Sequence, residues 1–308
     1  MSNEPTIPLS KSISPNFKAG YVALIGRPNV GKSTLMNALL GQKLSIVTAK
    51  PQTTRHRVLG ILSGKEYQII FLDTPGLLVP RYKLQETMVK AARGAIEEAD
   101  VLLFMIEPED KISEANQSIL SELIQSKKPL ILSINKIDQT DRDKLLPIID
   151  QYSKNFNLTS IIPISALKAD GLDQLKQLLI DNLPVGFPFY PPETITDQPE
   201  RFFVAEIIRE KIFQKYGEEI PYSTTVTVEE FKERDHGKDY IRAVIYVERN
   251  SQKGIIIGKQ GAALKRVGQI AREEIELFLG RAVYLELFVR VKEKWRQREE
   301  VLRELGYK

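Results

Sequence analysis

Apolar and polar positions follow two different rhythms along this chain, and the change of rhythm divides it. In the first half, solid apolar runs at 21–25, 101–106, 129–134 and 160–164 alternate with longer stretches of helical spacing, among them 33–40 and a segment ending at Leu183. Such runs predict strands buried on both faces, and their alternation with helices predicts parallel strands joined by right-handed crossovers. Residues 58–62 and 67–72 flank Ser63-Gly64-Lys65-Glu66 and predict a hairpin, so the sheet is expected to be mostly parallel with helices on both faces. In the second half, 202–211 predicts an amphipathic helix, and strands follow around 224–228 and 240–247. A short apolar turn then leads into a helix with Leu264, Val267, Ala271, Ile275 and Phe278 on one face, and Val283, Leu285, Leu287, Val289 and Val291 alternate as a closing strand.

Between the halves stand Pro184, Pro188, Pro191, Pro192 and Pro199, a density that no helix or central strand survives. A semi-rigid linker is expected there, with aromatics free to dock on either side. The expected division is an N-terminal tail at 1–19, a first domain at 20–184, the linker at 185–199 and a second domain at 200–308.

Composition narrows the chemistry. A chain of 308 residues is long enough for two separate cores. It has no cysteine and only two histidines, His56 and His236, which excludes disulfides, thiolate metal sites and histidine clusters. The net charge of +4 permits a polyanionic partner without requiring one. No stretch approaches eighteen consecutive apolar residues and the N-terminal segment has no apolar core, so a cytoplasmic protein with a loose tail is expected.

The chemistry concentrates in Gly26-Arg27-Pro28-Asn29-Val30-Gly31-Lys32-Ser33, which fills the P-loop pattern between a strand and a helix that opens with Ser33 and Thr34. Glycines let the backbone approach a polyphosphate, and free N–H groups and the helix dipole favour its charge. Lys32 reaches the outer phosphates, and the Ser33 hydroxyl can ligate Mg2+. The polar stretch 48–57 predicts a mobile loop in which a threonine can close over the metal and the γ-phosphate. The pattern does not distinguish Thr53 from Thr54; the expected metal set is Ser33, Asp73 and Thr54. Asp73-Thr74-Pro75-Gly76 ends a buried strand, where Asp73 can hold Mg2+ through water and the Gly76 N–H can meet the γ-phosphate. Asn135-Lys136-Ile137-Asp138 ends another. Asp138 can accept from both guanine donors, Asn135 can tie loops and base together, and the Lys136 stem can lie on the ring. Ser165-Ala166-Leu167 ends the last strand, with the Ala166 N–H expected at guanine O6.

In this order the four motifs resemble the translation-factor class of GTPases from about Gly20 to Leu183. One departure is Leu77, where small signalling GTPases carry a glutamine that orients water. Here the chain resembles the hydrophobic-substituted GTPases, several of which use a P-loop asparagine, matched by Asn29, to bind K+ near the phosphates. Lys32, Asn29 and Gly76 are therefore the expected catalytic groups, with GTP or GDP, Mg2+ and K+ as cofactors.

In the second half, Gly258-Lys259-Gln260-Gly261 joins two helical stretches. Helix, two strands, helix, G-x-x-G, helix, strand is the arrangement of a type II KH domain, an α+β fold following the α/β GTPase domain. From Asn250 to Arg272 there are five basic residues and no acidic one. Lys253, Ile257, Gly258, Lys259, Gln260, Gly261, Lys265, Arg266 and Arg272 are the expected RNA contacts.

With the linker and stretches such as Gln52-Thr53-Thr54-Arg55-His56-Arg57 and Ile195-Thr196-Asp197, the chain resembles the Era family from Gly20 to Lys308. The resemblance implies a monomeric GTP-hydrolysing switch that binds the 3-prime end of small-subunit ribosomal RNA and assists assembly of the small ribosomal subunit. It also implies a peripheral contact with the inner face of the cell membrane, for which the sequence shows no anchor. Two other classes compete: a constitutive RNA-binding protein stabilised by nucleotide, and a GTP-dependent RNA-modifying enzyme, for which no further acid–base or nucleophile constellation exists.

Overall fold

The computed structural model describes residues 14–307, so 1–13 of the expected tail and Lys308 lie outside the described residues. Phe17 is already buried, and β1 (Lys18–Gly26) starts inside the stretch expected to be tail. The chain then runs through α1 (Lys32–Leu40), the hairpin β2 (Val58–Ser63) and β3 (Tyr67–Asp73), α2 (Lys83–Glu98), β4 (Val101–Ile106), α3 (Glu114–Gln125) and β5 (Leu130–Ile134). It continues with α4 (Leu145–Asn155), β6 (Ser160–Pro163) and α5 (Leu172–Asn182).

The sheet order is β2-β3-β1-β4-β5-β6, parallel except for β2 against β3. Pleating sends Ala23 and Ile25 of β1 into a core with α2, α3 and α4. Val22 and Leu24 enter a second core with α1 and α5. Both faces are covered, which is why β4 is apolar at every position and its neighbours β1 and β5 nearly so.

The second unit comprises α6 (Glu200–Lys215), β7 (Thr225–Lys232), β8 (Asp239–Val247), α7 (Asn250–Ile257), α8 (Ala262–Leu279), β9 (Val283–Val291) and α9 (Glu299–Glu304). Its sheet runs β7-β8-β9, antiparallel then parallel, and one face packs on α6, α7 and α8.

The linker lies along the first unit. Phe189 stands edge-on to Tyr21, with centroids 5.2 Å apart. Gln68 accepts from the N–H groups of Phe189 and Tyr190, Thr196 Oγ1 donates to Leu59 O, and Ile61 N donates to Ile195 O. The proline-rich stretch therefore covers the edge strand β2, satisfying backbone groups that would otherwise face solvent.

Two expectations need correction. Helix α6 is buried nearly all round: Glu206, Arg209, Glu210 and Lys211 are buried along with Phe203, Val204, Ile207, Ile208, Ile212 and Phe213. Its apolar side meets the KH core, and its charged side meets the loop after α1. The stretch 48–57 of that loop is irregular as expected, but Thr53 and Arg55 are buried, as are Leu44, Ser45 and Ile46 just before it. A second contact between the units is a cluster in which Leu84 and Met88 of α2 pack with Trp295, Val301, Leu302, Leu305 and Tyr307. Trp295 is fully buried and its Nε1 donates to Ser223 O at 2.9 Å.

Candidate nucleotide site and nucleic-acid groove

The P-loop backbone is specified at two glycines. Gly31, in the N-cap position of α1, has φ +100°, and a Cβ there would strike the Asn135 amide. Gly76 approaches the loop from β3 so closely that a Cβ would lie 2.5 Å from Pro28 N. With no side chain capping α1, its first N–H groups face the cleft. Pro28, Asn29, Gly31, Lys32, Ser33, Thr34, Thr53, Thr54 and Gly76 line that cleft together. Ile46, Val47, Thr48 and Gln52 complete the lining; Thr48 and Gln52 belong to the loop expected to close over the phosphates, while Ile46 and Val47 were missed because no motif marks them.

Lys32 is buried, and its Nζ donates to Gly26 O (3.2 Å) and Arg27 O (3.0 Å). Burial lowers its pKa to about 8, with Asp73 acting in the opposite sense. Ser33 Oγ donates to Asp73 Oδ2 at 2.7 Å and lies 2.9 Å from Thr54 Oγ1. Burial raises the Asp73 carboxyl pKa, against Ser33, Lys32 and Ser45, and its Oδ1 is buried without a partner among the described residues. Two hydroxyls and a carboxylate with a spare oxygen form a hard-oxygen set that fits Mg2+. Ser33, Thr54 and Asp73 would hold that ion, which would supply positive charge against that of a bound polyphosphate.

The structure distinguishes the two threonines. Thr53 Oγ1 turns away, donating to Lys50 O (2.7 Å) and pairing with Thr48 Oγ1 (2.8 Å), so of the two it is Thr54 whose hydroxyl lies beside Ser33. Thr74 is also turned inward, its hydroxyl donating to Leu24 O at 2.8 Å, and Pro75 is buried beside it. Leu77 packs in the core with its N–H on Gly26 O, and no side chain stands there to orient water. Asn29, with φ +67°, donates from Nδ2 to Ala49 O at 2.8 Å, which joins the P-loop to the following loop.

At the base end, Asn135 Nδ2 donates to Val30 O (2.7 Å) and Asn135 Oδ1 accepts from Ala166 N (2.9 Å). The loop-tying role expected of Asn135 is visible, and the Ala166 N–H expected at guanine O6 is engaged with Asn135. Ser165 Oγ donates to Asp138 Oδ1 at 2.6 Å, orienting that carboxylate. Lys136 stands in the left-handed region at φ +66° and pairs with Glu107, while Leu167 is exposed at the rim.

In the second unit, Gly258 has φ +71°, and a Cβ there would lie 2.5 Å from the Ala263 Cβ. Gln260 and Gly261 are also left-handed, at φ +51° and +78°. The groove beside the loop is lined by Gly261, Lys265 and Arg272, with Leu264, Gly268, Gln269, Leu285 and Leu287. Lys253 of α7 and Gly258, Lys259 and Gln260 of the loop are not part of this lining. Ile257 packs on the core, and Arg266 faces Lys215, whose pKa burial and Arg266 together lower. The apolar lining was missed because Leu285 and Leu287 read only as strand positions.

The ammonium of Lys32 loses its proton near pH 8 when folded, against 10.5 ordinarily. Bound polyphosphate favours the charged form, so binding takes up a proton above that pH. We expect GDP affinity to be flat below pH 8 and then to fall by up to roughly tenfold per pH unit. Calorimetric titration at pH 7 and pH 9 checks this; equal affinities contradict it.

Residues 21–136 match the family of 50S ribosome-binding GTPases, and residues 219–296 match the KH domain family. GTPase Era of Ruminiclostridium cellulolyticum is 47% identical over 293 residues, covering 95% of this chain and 98% of the relative. GTPase Era of Clostridium botulinum strain Okra is 46% identical over 292 residues, with 95% and 99% covered. Among solved structures, Aquifex aeolicus Era bound to GDP and AlF4- superposes with TM-score 0.91 at 47% identity, covering 94% of this chain and 99% of that one. Era in complex with MgGDPNP and nucleotides 1506–1542 of 16S ribosomal RNA matches with the same TM-score, identity and coverage. With a P-loop cleft in one unit, a G-x-x-G groove in the other and this likeness over nearly the whole chain, this chain belongs to the Era family of GTPases.

Proposed function

We propose that the protein is a GTP-driven switch whose KH groove binds the 3-prime end of small-subunit ribosomal RNA, supporting small-subunit assembly, and whose nucleotide state sets that affinity. The observation behind the switch is the setting of Thr54. Thr53 O, on one side of it, accepts from buried Arg209 of α6 at 2.6 Å. Arg55, on the other side, donates to Thr224 O (2.7 Å), Pro221 O (2.9 Å) and Tyr222 O (3.2 Å). Lys50 Nζ caps the C-terminal end of α6 through Phe213 O and Tyr216 O, and Val47 N donates to Glu210 at 3.0 Å. His56 stacks on Tyr307 with centroids 4.5 Å apart. A loop that closes over metal and γ-phosphate is thus gripped by the KH unit on both sides of its metal ligand. Loss of the γ-phosphate releases that grip.

The RNA assignment rests on the G-x-x-G backbone, the basic groove rim and the relative that binds 16S ribosomal RNA. Among the described residues no helix is long and apolar enough to cross a membrane. For hydrolysis, Asn29 and the carbonyl of Ala49 offer oxygens for K+ beside the phosphates, which fits a site where Leu77 orients no water.

RNA affinity measured with a GTP analogue, with GDP and without nucleotide tests the switch. The analogue should tighten binding by at least about fivefold over GDP, and Arg55→Ala should bring the ratio towards one. Equal affinities for the wild type would favour the constitutive binder. For the cation, steady-state GTPase assays should show a rate in K+ about tenfold or more above that in Na+, with the gain lost in Asn29→Ala. Independence of K+ would leave Asn29 as a loop tie only.

A further inference from the structure

The outer face of the KH sheet is uncovered at one end and furnished with aromatic rings. Pleating puts Tyr240, Arg242, Val244 and Tyr246 of β8 beside Tyr284, Glu286, Phe288 and Arg290 of β9, on the side away from the helices. The Tyr246 end is packed against the Trp295 cluster. At the other end Tyr284 is 56% exposed and Phe288 41%. Tyr240 and Tyr284 are stacked across the strands, with centroids 6.0 Å apart and planes at 14°. The Arg242 guanidinium lies 5.7 Å from the ring centroids of both Tyr240 and Phe288.

These groups are held in place. Glu286 accepts from Tyr240 Oη (2.6 Å) and Arg242 Nε (3.3 Å), Glu230 pairs with Lys232 and Arg242, and Glu229 takes Arg290 at 2.5 Å. Every one of these acids has a cationic partner, so the face presents rings and a guanidinium plane without uncompensated negative charge. Fixed, partly exposed π-faces interleaved with arginine are the furniture of a base-stacking surface.

Position supplies the second argument. β9 is an edge strand, and its inward residues Leu285 and Leu287 line the G-x-x-G groove while its outward residues Tyr284 and Phe288 alternate with them. Groove and aromatic face therefore share one free rim, a single strand wide. The groove of a KH fold takes about four nucleotides, so a longer strand must leave it past one end or one edge.

We propose that the outer face of β8 and β9 is a second RNA subsite, where Tyr284, Phe288 and Arg242 stack bases of single-stranded RNA that continues around the free edge of β9 from the groove. This rests on the reading that the groove binds RNA. Because the face is charge-balanced, its contribution comes from stacking and is nearly independent of salt, in contrast to the basic rim of the groove.

The full-length protein with a GTP analogue is titrated with two strands from the 3-prime end of small-subunit ribosomal RNA. One has about four nucleotides and fills the groove; the other has about twelve. Tyr284→Leu with Phe288→Leu keeps apolar bulk on the sheet and removes the flat rings. Affinity for the short strand should stay within about twofold, affinity for the long strand should fall roughly tenfold or more, and the slope of affinity against salt should not change. Tyr284→Trp, which enlarges the ring, should hold or strengthen long-strand binding. Unchanged long-strand affinity in the double variant overturns the proposal and leaves the face to a protein partner. An equal loss for both strands also overturns it, since the sheet would then act only by supporting the groove. A wild type that binds neither strand would overturn the groove reading itself, an outcome separate from the other two.

Discussion

Thr54 cannot move without Arg55. Adjacent residues lie 3.8 Å apart, and here one hydroxyl sits against Ser33 Oγ while the next guanidinium is buried among three carbonyls of the other unit. The buried Arg209–Glu206 pair backs this arrangement, Arg209 reaching Thr53 O while both Glu206 oxygens hold it. Burial opposes the charge of Glu206, but Arg209 beside it outweighs that and keeps the carboxyl below its usual range. Buried cations of this kind are expensive to leave unpaired, so partial undocking of the loop is disfavoured. A discrete pair of states is what a switch needs, and a continuously deformable contact would transmit little.

The same economy explains the rest of the interface. Lys43 bridges Glu210 and Glu274 at 2.5 and 2.6 Å, so the start of the loop is tied to α6 and α8 together. Tyr307, near the C-terminus, stacks on His56 and bonds to Thr225, carrying the contact on to β7. Burial lowers the His56 pKa to about 4, so this imidazole stays neutral in the folded protein. An unfolded histidine takes its proton near pH 6.5, so the docked loop is at full strength above that pH and loses stability as pH falls from 6.5 towards 4.

Much of this was legible in the sequence. The P-loop, Asp73-Thr74-Pro75-Gly76, Asn135 to Asp138 and the G-x-x-G turn impose backbone or donor requirements that few residue types meet, so their spacing alone pointed to them as candidate sites. The choice between Thr53 and Thr54 was not legible, because it depends on which hydroxyl the twist of one irregular loop turns towards Ser33. Helix α6 read as amphipathic because its charged residues look solvated in one dimension; Arg209 and Glu210 meet Thr53, Val47 and Lys43 from far earlier in the chain, and no local pattern records that. Leu285 and Leu287 read as strand core for a similar reason, since alternation cannot show which inward positions also border a groove.

Hydrogen exchange on the full-length protein tests the central claim most directly. With Mg2+ and a GTP analogue, the amides of residues 48–57 and those of α6 together with 219–225 should be protected in concert relative to GDP, and Arg55→Ala should abolish the change in the second set while sparing the P-loop. Protection confined to the first unit, with α6 and 219–225 exchanging identically in both nucleotide states, would contradict the account.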